Sequence, residues 1–453
     1  MDTALLQKYN VPGPRYTSYP TVPYWNKTAP AAGEWLQTVS DTFAATNSTD
    51  GISLYIHLPF CESLCTYCGC NTRITVNHRV EEPYIYAVLT EWAMYRSHFS
   101  ETPKIRELHL GGGTPTFFSA ENLRRLIEGL LAGAEIHEKA CFSFEAHPGN
   151  TTDEHLQTLY DLGFRRVSVG VQDTNPLVLE LINRHQTYEQ VEHLILKARE
   201  IGYTSVNIDM VYGLPQQRVC SMTQTIMNIT NLKPDRLALY SYAHVPWVKP
   251  GQRRFSEQDL PDASKKLAIY ETCRNWLELS GYQEIGMDHF ALATDSLSEA
   301  EKNGRLHRNF MGYTDTPTKL LIGLGASSIS DSWGAYVQNA KSVEAYYERL
   351  RDGQFPFFKG HLLTEDDLVI RRHILNLMCR FETSWMDKTL QSEGVYEGLH
   401  RIEELEADGL VEVEPYRLRV TPKGRSFVRN VCMAFDARLW ENLPETTLFS
   451  QTV

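Results

Sequence analysis

Four of the nine cysteines in this chain fall in one short run, Cys61-Glu-Ser-Leu-Cys65-Thr-Tyr-Cys68-Gly-Cys70. Thiolates are the ligands of iron–sulfur clusters. Three closely spaced thiolates, at Cys61, Cys65 and Cys68, can hold three irons of a four-iron cluster. The fourth iron is then open to a small chelating ligand. Two other readings compete. Four cysteines could close a tetrahedron around zinc, although one residue between Cys68 and Cys70 is awkward for two ligands of the same small ion. The spacings of four and three would also put three cysteines on one buried helix face, but Pro59 and Gly69 bracket the run, and Glu62 and Thr66 within it are polar. An odd cysteine count with five scattered residues does not look like a disulfide framework, and a cytosolic chain keeps such thiols reduced.

Six β-like runs would position this motif. They begin at Ile52, Ile105, Cys141, Arg165, Thr204 and Asp235, and each is rich in β-branched or aromatic residues. Helical patterns lie between them, over Glu81–Phe99, Ala120–Leu131, Thr152–Leu162, Thr187–Ile201 and Ser221–Leu232. Strand alternating with helix implies a parallel sheet with right-handed crossovers. Six units are too few for a closed eight-stranded barrel, so a partial (β/α)6 barrel or an open doubly wound sheet is expected. In both, ligands bind at the C-terminal ends of the strands. The cysteine run directly follows the first strand. Other strand ends carry Gly111-Gly112-Gly113-Thr114, Glu145, Gln172, Asp209 and Tyr242-Ala243-His244, with Arg184 soon after the fourth. Each alone could be a cap or a solvated loop residue. Together, on one rim with the cysteines, they are what a ligand site requires. A guanidinium at Arg184 could grip a carboxylate with two hydrogen bonds, or form a surface salt bridge.

After about residue 360 the pattern changes. Thr364 could cap a helix running through Leu377, a second helix lies near Tyr396–Asp408, and a β-hairpin follows with its turn around Glu414-Pro415. This predicts a small, mostly helical C-terminal domain with a wing-like hairpin. Such a domain could read DNA, but a net charge of −12 argues against broad nucleic-acid binding and favours a lid or packing role. Hydrophobic residues at 42% and charged residues at 22% are ordinary for a globular protein. The start, MDTALLQKYN, has no secretory pattern, and no run of about 18 apolar residues predicts a membrane span. A cytoplasmic location is expected.

The CxxxCxxC run with Tyr67 before its last cysteine resembles the mark of the radical S-adenosylmethionine (SAM) enzymes. In that family the open iron chelates SAM, and one electron splits the sulfonium to yield a 5′-deoxyadenosyl radical. Over nearly its whole length the chain resembles the oxygen-independent coproporphyrinogen III oxidases. The resemblance rests on PGPRYTSYPT (Pro12–Thr21), CESLCTYCGCNT (Cys61–Thr72), HLGGGTPT (His109–Thr116), GVQD (Gly170–Asp173) and NIDMVYGLP (Asn207–Pro215). It continues through YAHVP (Tyr242–Pro246), GMDHFA (Gly286–Ala291), LHRNFMGYT (Leu306–Thr314) and RNVCMAFD (Arg429–Asp436).

The resemblance implies a partial barrel of the radical SAM type over residues 51–360, an N-terminal arm over residues 1–50 and the C-terminal domain over 361–453. It implies a [4Fe-4S] cluster on Cys61, Cys65 and Cys68, and two molecules of SAM. Tyr55, Tyr67, Gly113, Thr114, Glu145, Gln172, Arg184 and Asp209 would surround the first, while Gly112, Ala243, Phe310 and Ile329 would contact the second. Cys70, Tyr55 and Glu145 would serve catalysis, Cys70 without being a ligand. The Arg15–Tyr19 segment would lie over the substrate opening. The implied reaction converts two propionates of coproporphyrinogen III to vinyls, giving protoporphyrinogen IX, in a monomer fed by an external electron donor. Arg15, Arg308, His289 and His307 are candidate cationic partners for the substrate carboxylates. Met311 departs mildly from the family pattern. A related group, the heme chaperones, lacks the fourth cysteine and the arm, so Cys70 and Pro12–Thr21 favour the enzyme.

Overall fold

A computed structural model describes residues 3–247, 249–444, 446 and 448–452. One sheet of twelve strands organises the chain. In chain order these are β1 (Ile52–Leu58), β2 (Lys104–Gly112), β3 (Glu135–Ala146), β4 (Arg166–Gln172), β5 (Ser205–Tyr212) and β6 (Arg236–Ser241), then β7 (Tyr282–Gly286), β8 (His289–Leu292), β9 (Leu321–Leu324), β10 (Ile329–Asp331), β11 (Ala335–Asn339) and β12 (Phe357–Leu362). The spatial order is β12-β11-β10-β9-β1-β2-β3-β4-β5-β6-β8-β7. Strands β1 to β6 run parallel in sequence order, so the expected six-unit partial barrel is present. It is also extended. β9 joins β1 in parallel, and antiparallel strands continue the sheet on both sides.

The crossover helices begin where short polar side chains can satisfy free backbone donors. Ser119, Thr152 and Thr187 each accept a hydrogen bond from the N–H three residues on, opening Ala120–Leu131, Asp153–Asp161 and Tyr188–Ile201. Between helices and sheet, apolar strand residues such as Leu54, Ile56, Leu108, Phe144, Val169 and Ile208 are fully buried. β3 starts six residues before the run that begins at Cys141, at Glu135. Its added first half is largely exposed, so it carries no hydrophobic pattern. It is held by backbone pairing of Glu135 and Ile136 with Lys104 and Ile105.

The first fifty residues divide between two cores. The helix Ala32–Thr46 seats Trp35, Val39 and Phe43 in the core of the barrel. Leu5, Tyr9, Tyr16 and Tyr19 instead join a second core with Ile374, Leu377, Ile402 and Phe435 of the C-terminal region. That region contains the helices Glu365–Arg380, Glu393–Ala407 and Val428–Phe435 and a three-stranded sheet. Its hairpin, Val411–Glu414 with Arg417–Val420, turns at Pro415-Tyr416, with Tyr416 at φ 63°. Among the described residues no helix is long and apolar enough to cross a membrane.

Trp35 is wholly buried and its indole N–H donates to the Tyr95 hydroxyl at 3.2 Å. Trp35→Ala is expected to destabilise the chain by about 3–5 kcal/mol, measured by urea unfolding.

Candidate active site

The cysteine loop is closed at its base by backbone. Phe60–Cys61 pairs in parallel with Arg73–Ile74, the Arg73 N–H donates to the Pro59 carbonyl at 2.7 Å, and the Thr75 N–H donates to the Cys61 carbonyl at 2.9 Å. Its tip is tied to the loop after β4. The Thr66 N–H donates to the Ile182 carbonyl at 2.9 Å, and Asn183 Nδ2 donates to the Leu64 carbonyl at 2.8 Å. The thiol-bearing segment is therefore fixed against the rim at both ends.

Cys61, Cys65, Cys68 and Cys70 line a cavity of about 690 Å³. Tyr67, Gly112, Gly113 and Thr114 share its wall, and Glu145, Gln172, Arg184 and Asp209 complete it. Among the described residues, no three His, Cys, Asp or Glu side chains converge as a single ion would require. Burial pushes the Cys61 thiol up to about 11. Hydrogen bonding from Cys70 pulls Cys68 down to about 6, and the Cys70 backbone N–H lies 3.4 Å from the Cys68 sulfur. Arg184 approaches the Cys65 sulfur at 3.7 Å and the Tyr67 hydroxyl at 3.4 Å, and also donates to the Gly170 carbonyl. A donor set of thiols beside a guanidinium fits a thiolate-held cluster, because the cation offsets the charge the thiolates carry.

The glycines supply close approach. A Cβ on Gly113 would stand 2.7 Å from the Pro59 carbonyl carbon, and one on Gly112 would stand 2.8 Å from the His57 ring. Gly112 also has φ +118°, a region that side chains disfavour. Its N–H donates to Glu145 Oε2 at 3.2 Å. Loss of water around Glu145 acts to raise its pKa. His109, 3.6 Å away, and the Gly112 N–H outweigh that and hold the carboxyl below its ordinary value. Asp209 is different: burial pushes it up to about 6, although Ser168 Oγ at 2.8 Å and Asn207 Nδ2 at 2.9 Å both donate to it. Two carboxyls on one rim are thus shifted in opposite directions.

Tyr55 is not on the cavity wall; it stacks 6.0 Å from His109, with its hydroxyl 3.1 Å from His57 Nδ1. His57 Nε2 in turn meets the Asn71 carbonyl at 2.9 Å. Ala243, Phe310 and Ile329 are not on the cavity wall. Ala243 follows β6, Ile329 opens β10, and Phe310 packs edge-on against Trp25 and Tyr336.

His57, His109, Ser168 and Asn207 were not singled out from sequence. Each sits two residues from a selected or glycine position on the same strand, which places it on the same face. That period-two relation was the available signal. His289 and His307 need correction as cationic partners. Burial, with Arg308 nearby, lowers His289 to about 4, and burial with Arg371 lowers His307 to about 4. Both imidazoles are neutral near neutral pH. Arg308 is 7% exposed, stacked 4.5 Å over Tyr313, with Nε and Nη1 unpartnered. Arg15 is paired with Asp288.

The Radical SAM superfamily profile matches residues 55–226. An oxygen-independent coproporphyrinogen III oxidase from Escherichia coli is 39% identical over 445 residues, covering 97% of this chain and 95% of the relative. The chain belongs to the oxygen-independent coproporphyrinogen III oxidase family. A Synechocystis member is 36% identical over 466 residues, spanning 99% of this chain and 97% of its own. A solved Escherichia coli structure, described as coproporphyrinogen III oxidase and a radical SAM enzyme, superposes with TM-score 0.89 at 37% identity, covering 96% of this chain and 98% of its own. The oxidase likeness therefore takes in the arm and the C-terminal region as well as the barrel.

His57 is pinned by two hydrogen bonds and cannot swing away from a new methyl group at residue 112. Gly112→Ala is expected to destabilise the rim by about 1–3 kcal/mol and to lower iron retention. Thermal unfolding of the cluster-free chain and iron content after anaerobic reconstitution measure the two effects.

Proposed function

We propose that this chain carries out the oxidative decarboxylation of two propionate side chains of coproporphyrinogen III to vinyl groups, yielding protoporphyrinogen IX. The observation that carries this reading is the thiol-lined cavity at the rim, in a chain that matches the oxidase family from end to end. The propionate β-carbon has no acidic hydrogen, so no side-chain base in the cavity can remove it as a proton. A [4Fe-4S] cluster with SAM supplies hydrogen-atom abstraction from unactivated carbon. The carbon-centred radical left on the substrate then loses carbon dioxide and passes one electron to an external one-electron acceptor, and the vinyl double bond forms.

The residues of the chain have separable tasks in this reading. Cys61, Cys65 and Cys68 would hold three irons. Gly112 and Gly113 let main chain, rather than side chain, border the cavity that these thiols line. Glu145, held as a carboxylate, offers an acceptor to cationic or hydroxyl donors of SAM, and Asp209 and Gln172 border the same space. Arg184 balances the thiolates and keeps Tyr67 in place. Tyr55 holds His57, which holds the loop at Asn71. A second SAM on Gly112, Ala243, Phe310 and Ile329 belongs to the same proposal. So do residues 51–360 as its catalytic unit, an external one-electron donor and a cytoplasmic location.

The test is an anaerobic assay of the reconstituted protein with SAM, a reductant and coproporphyrinogen III. Protoporphyrinogen is expected in step with 5′-deoxyadenosine. SAM cleavage without decarboxylation would refute the substrate assignment. Cys70→Ser is expected to keep the iron content and the brown colour while abolishing decarboxylation. Loss of iron in that variant would make Cys70 a ligand.

A further inference from the structure

A second chamber, of about 260 Å³, lies on the other side of the same strand ends. Tyr212 and Ser241, the last residues of β5 and β6, line it. Their predecessors Val211 and Tyr240 line the thiol cavity. Successive strand residues face opposite sides, so the two spaces are separated by one thickness of rim. The arm contributes Arg15 to the chamber, the helix Ala263–Leu279 contributes Lys266, and the C-terminal region contributes Arg425 and Arg429.

Its charges do not balance. Two carboxylates face the space, and both are engaged: Asp288 by Arg15, and Glu284 by Arg274 Nε at 3.1 Å and the Tyr270 hydroxyl. Lys266 Nζ donates to the Tyr242 carbonyl at 3.0 Å and sits 5.7 Å from the Tyr212 ring centre. Arg425 lies over Phe381, and Arg429 donates to the carbonyls of Gly13, Pro14, Ser450 and Gln451. None of these three cations has a carboxylate partner within ion-pair distance among the described residues. Burial, with Arg15 beside it, lowers Lys266 to about 8 and Arg429 to about 10. The chamber therefore holds positive potential that an anion would relieve.

We propose that this chamber seats one carboxylate of the tetrapyrrole, on a propionate that is retained in the product, with Lys266 as its principal ligand. The assignment rests on the proposed function, since it takes its ligand from that substrate. The reacting propionate must reach the thiol-lined cavity where SAM would sit, and a carboxylate beyond the rim is on the far side of β5 and β6 from it. The volume suits a propionate and part of its pyrrole ring, not a whole macrocycle. Lys266 would thus help to select which side chain is presented for reaction.

Equilibrium binding separates the chamber from the chemistry. Fluorescence anisotropy of coproporphyrin III and of protoporphyrin IX, which keeps two propionates, would be titrated with the reconstituted protein. Lys266→Met is expected to weaken both by about ten- to hundredfold, the worth of one charge-assisted hydrogen bond. Lys266→Arg should recover most of the loss. Lys265→Met, at an exposed neighbour paired with Asp262, should bind as the parent does. Unchanged binding in a folded Lys266→Met variant would overturn the proposal, as would a loss confined to coproporphyrin III. Failure of the parent to bind either porphyrin would overturn it together with the proposed function. Lys266-dependent binding without decarboxylation would sustain the chamber and refute the activity.

Discussion

The close backbone approach between the end of β2 and the chain entering the cysteine loop is the constraint on which the site depends. The Gly113 N–H donates to the Leu58 carbonyl at 2.8 Å, and the Thr114 N–H donates to the Phe60 carbonyl at 3.0 Å. These bonds continue the β1–β2 pairing past the barrel core and into the loop. They require bare glycine, because a Cβ at either of the last two glycines would strike Pro59, Phe60 or His57. With that approach made, the thiols, the glycine backbone and Glu145 border one cavity. Without it the loop would lose one side of its frame.

Electrostatics at the rim follow from the same placement. The chain as a whole carries a net charge of −12, yet the cations that matter are drawn inward. Arg184 stands against the thiols, and Arg166 and Arg236 neutralise Asp315 and Asp295 in the barrel interior. In surroundings of low dielectric such pairings are stronger than on the surface, and an unpaired charge is costly. Glu145 and Asp209 show the consequence. One carboxyl has backbone and imidazole partners and stays ionised. The other has only neutral partners and is raised to about 6.

The two ends of the chain are fastened together over the barrel. Arg429 grips the main chain of residues 13–14 and 450–451, Asn430 donates to the Tyr9 carbonyl at 2.8 Å, and Tyr16 donates to Asp436 at 3.0 Å. The arm is thus positioned by the C-terminal region, while the helix Ala32–Thr46 that follows it belongs by packing to the barrel. Arg15 enters the second chamber at the junction between these two attachments. A segment held in this way can carry a charged side chain into that chamber without a core of its own.

The sequence by itself determined the local features. The six parallel strands and their crossover helices were legible because buried strands and amphipathic helices leave periodic apolar patterns. The Cys61–Cys70 run was legible because ligand chemistry demands particular residue types at short spacing. The C-terminal hairpin was visible within a residue because its turn interrupts two alternating strands. What only the tertiary structure decided involves partners distant in sequence. The exposed start of β3, the antiparallel flanks and the pairing of β9 with β1 depend on backbone bonds that leave little hydrophobic trace. The neutrality of His289 and His307 follows from burial beside arginines contributed by other segments. The Lys266 chamber draws its walls from both ends of the chain and its middle, so no local pattern could contain it.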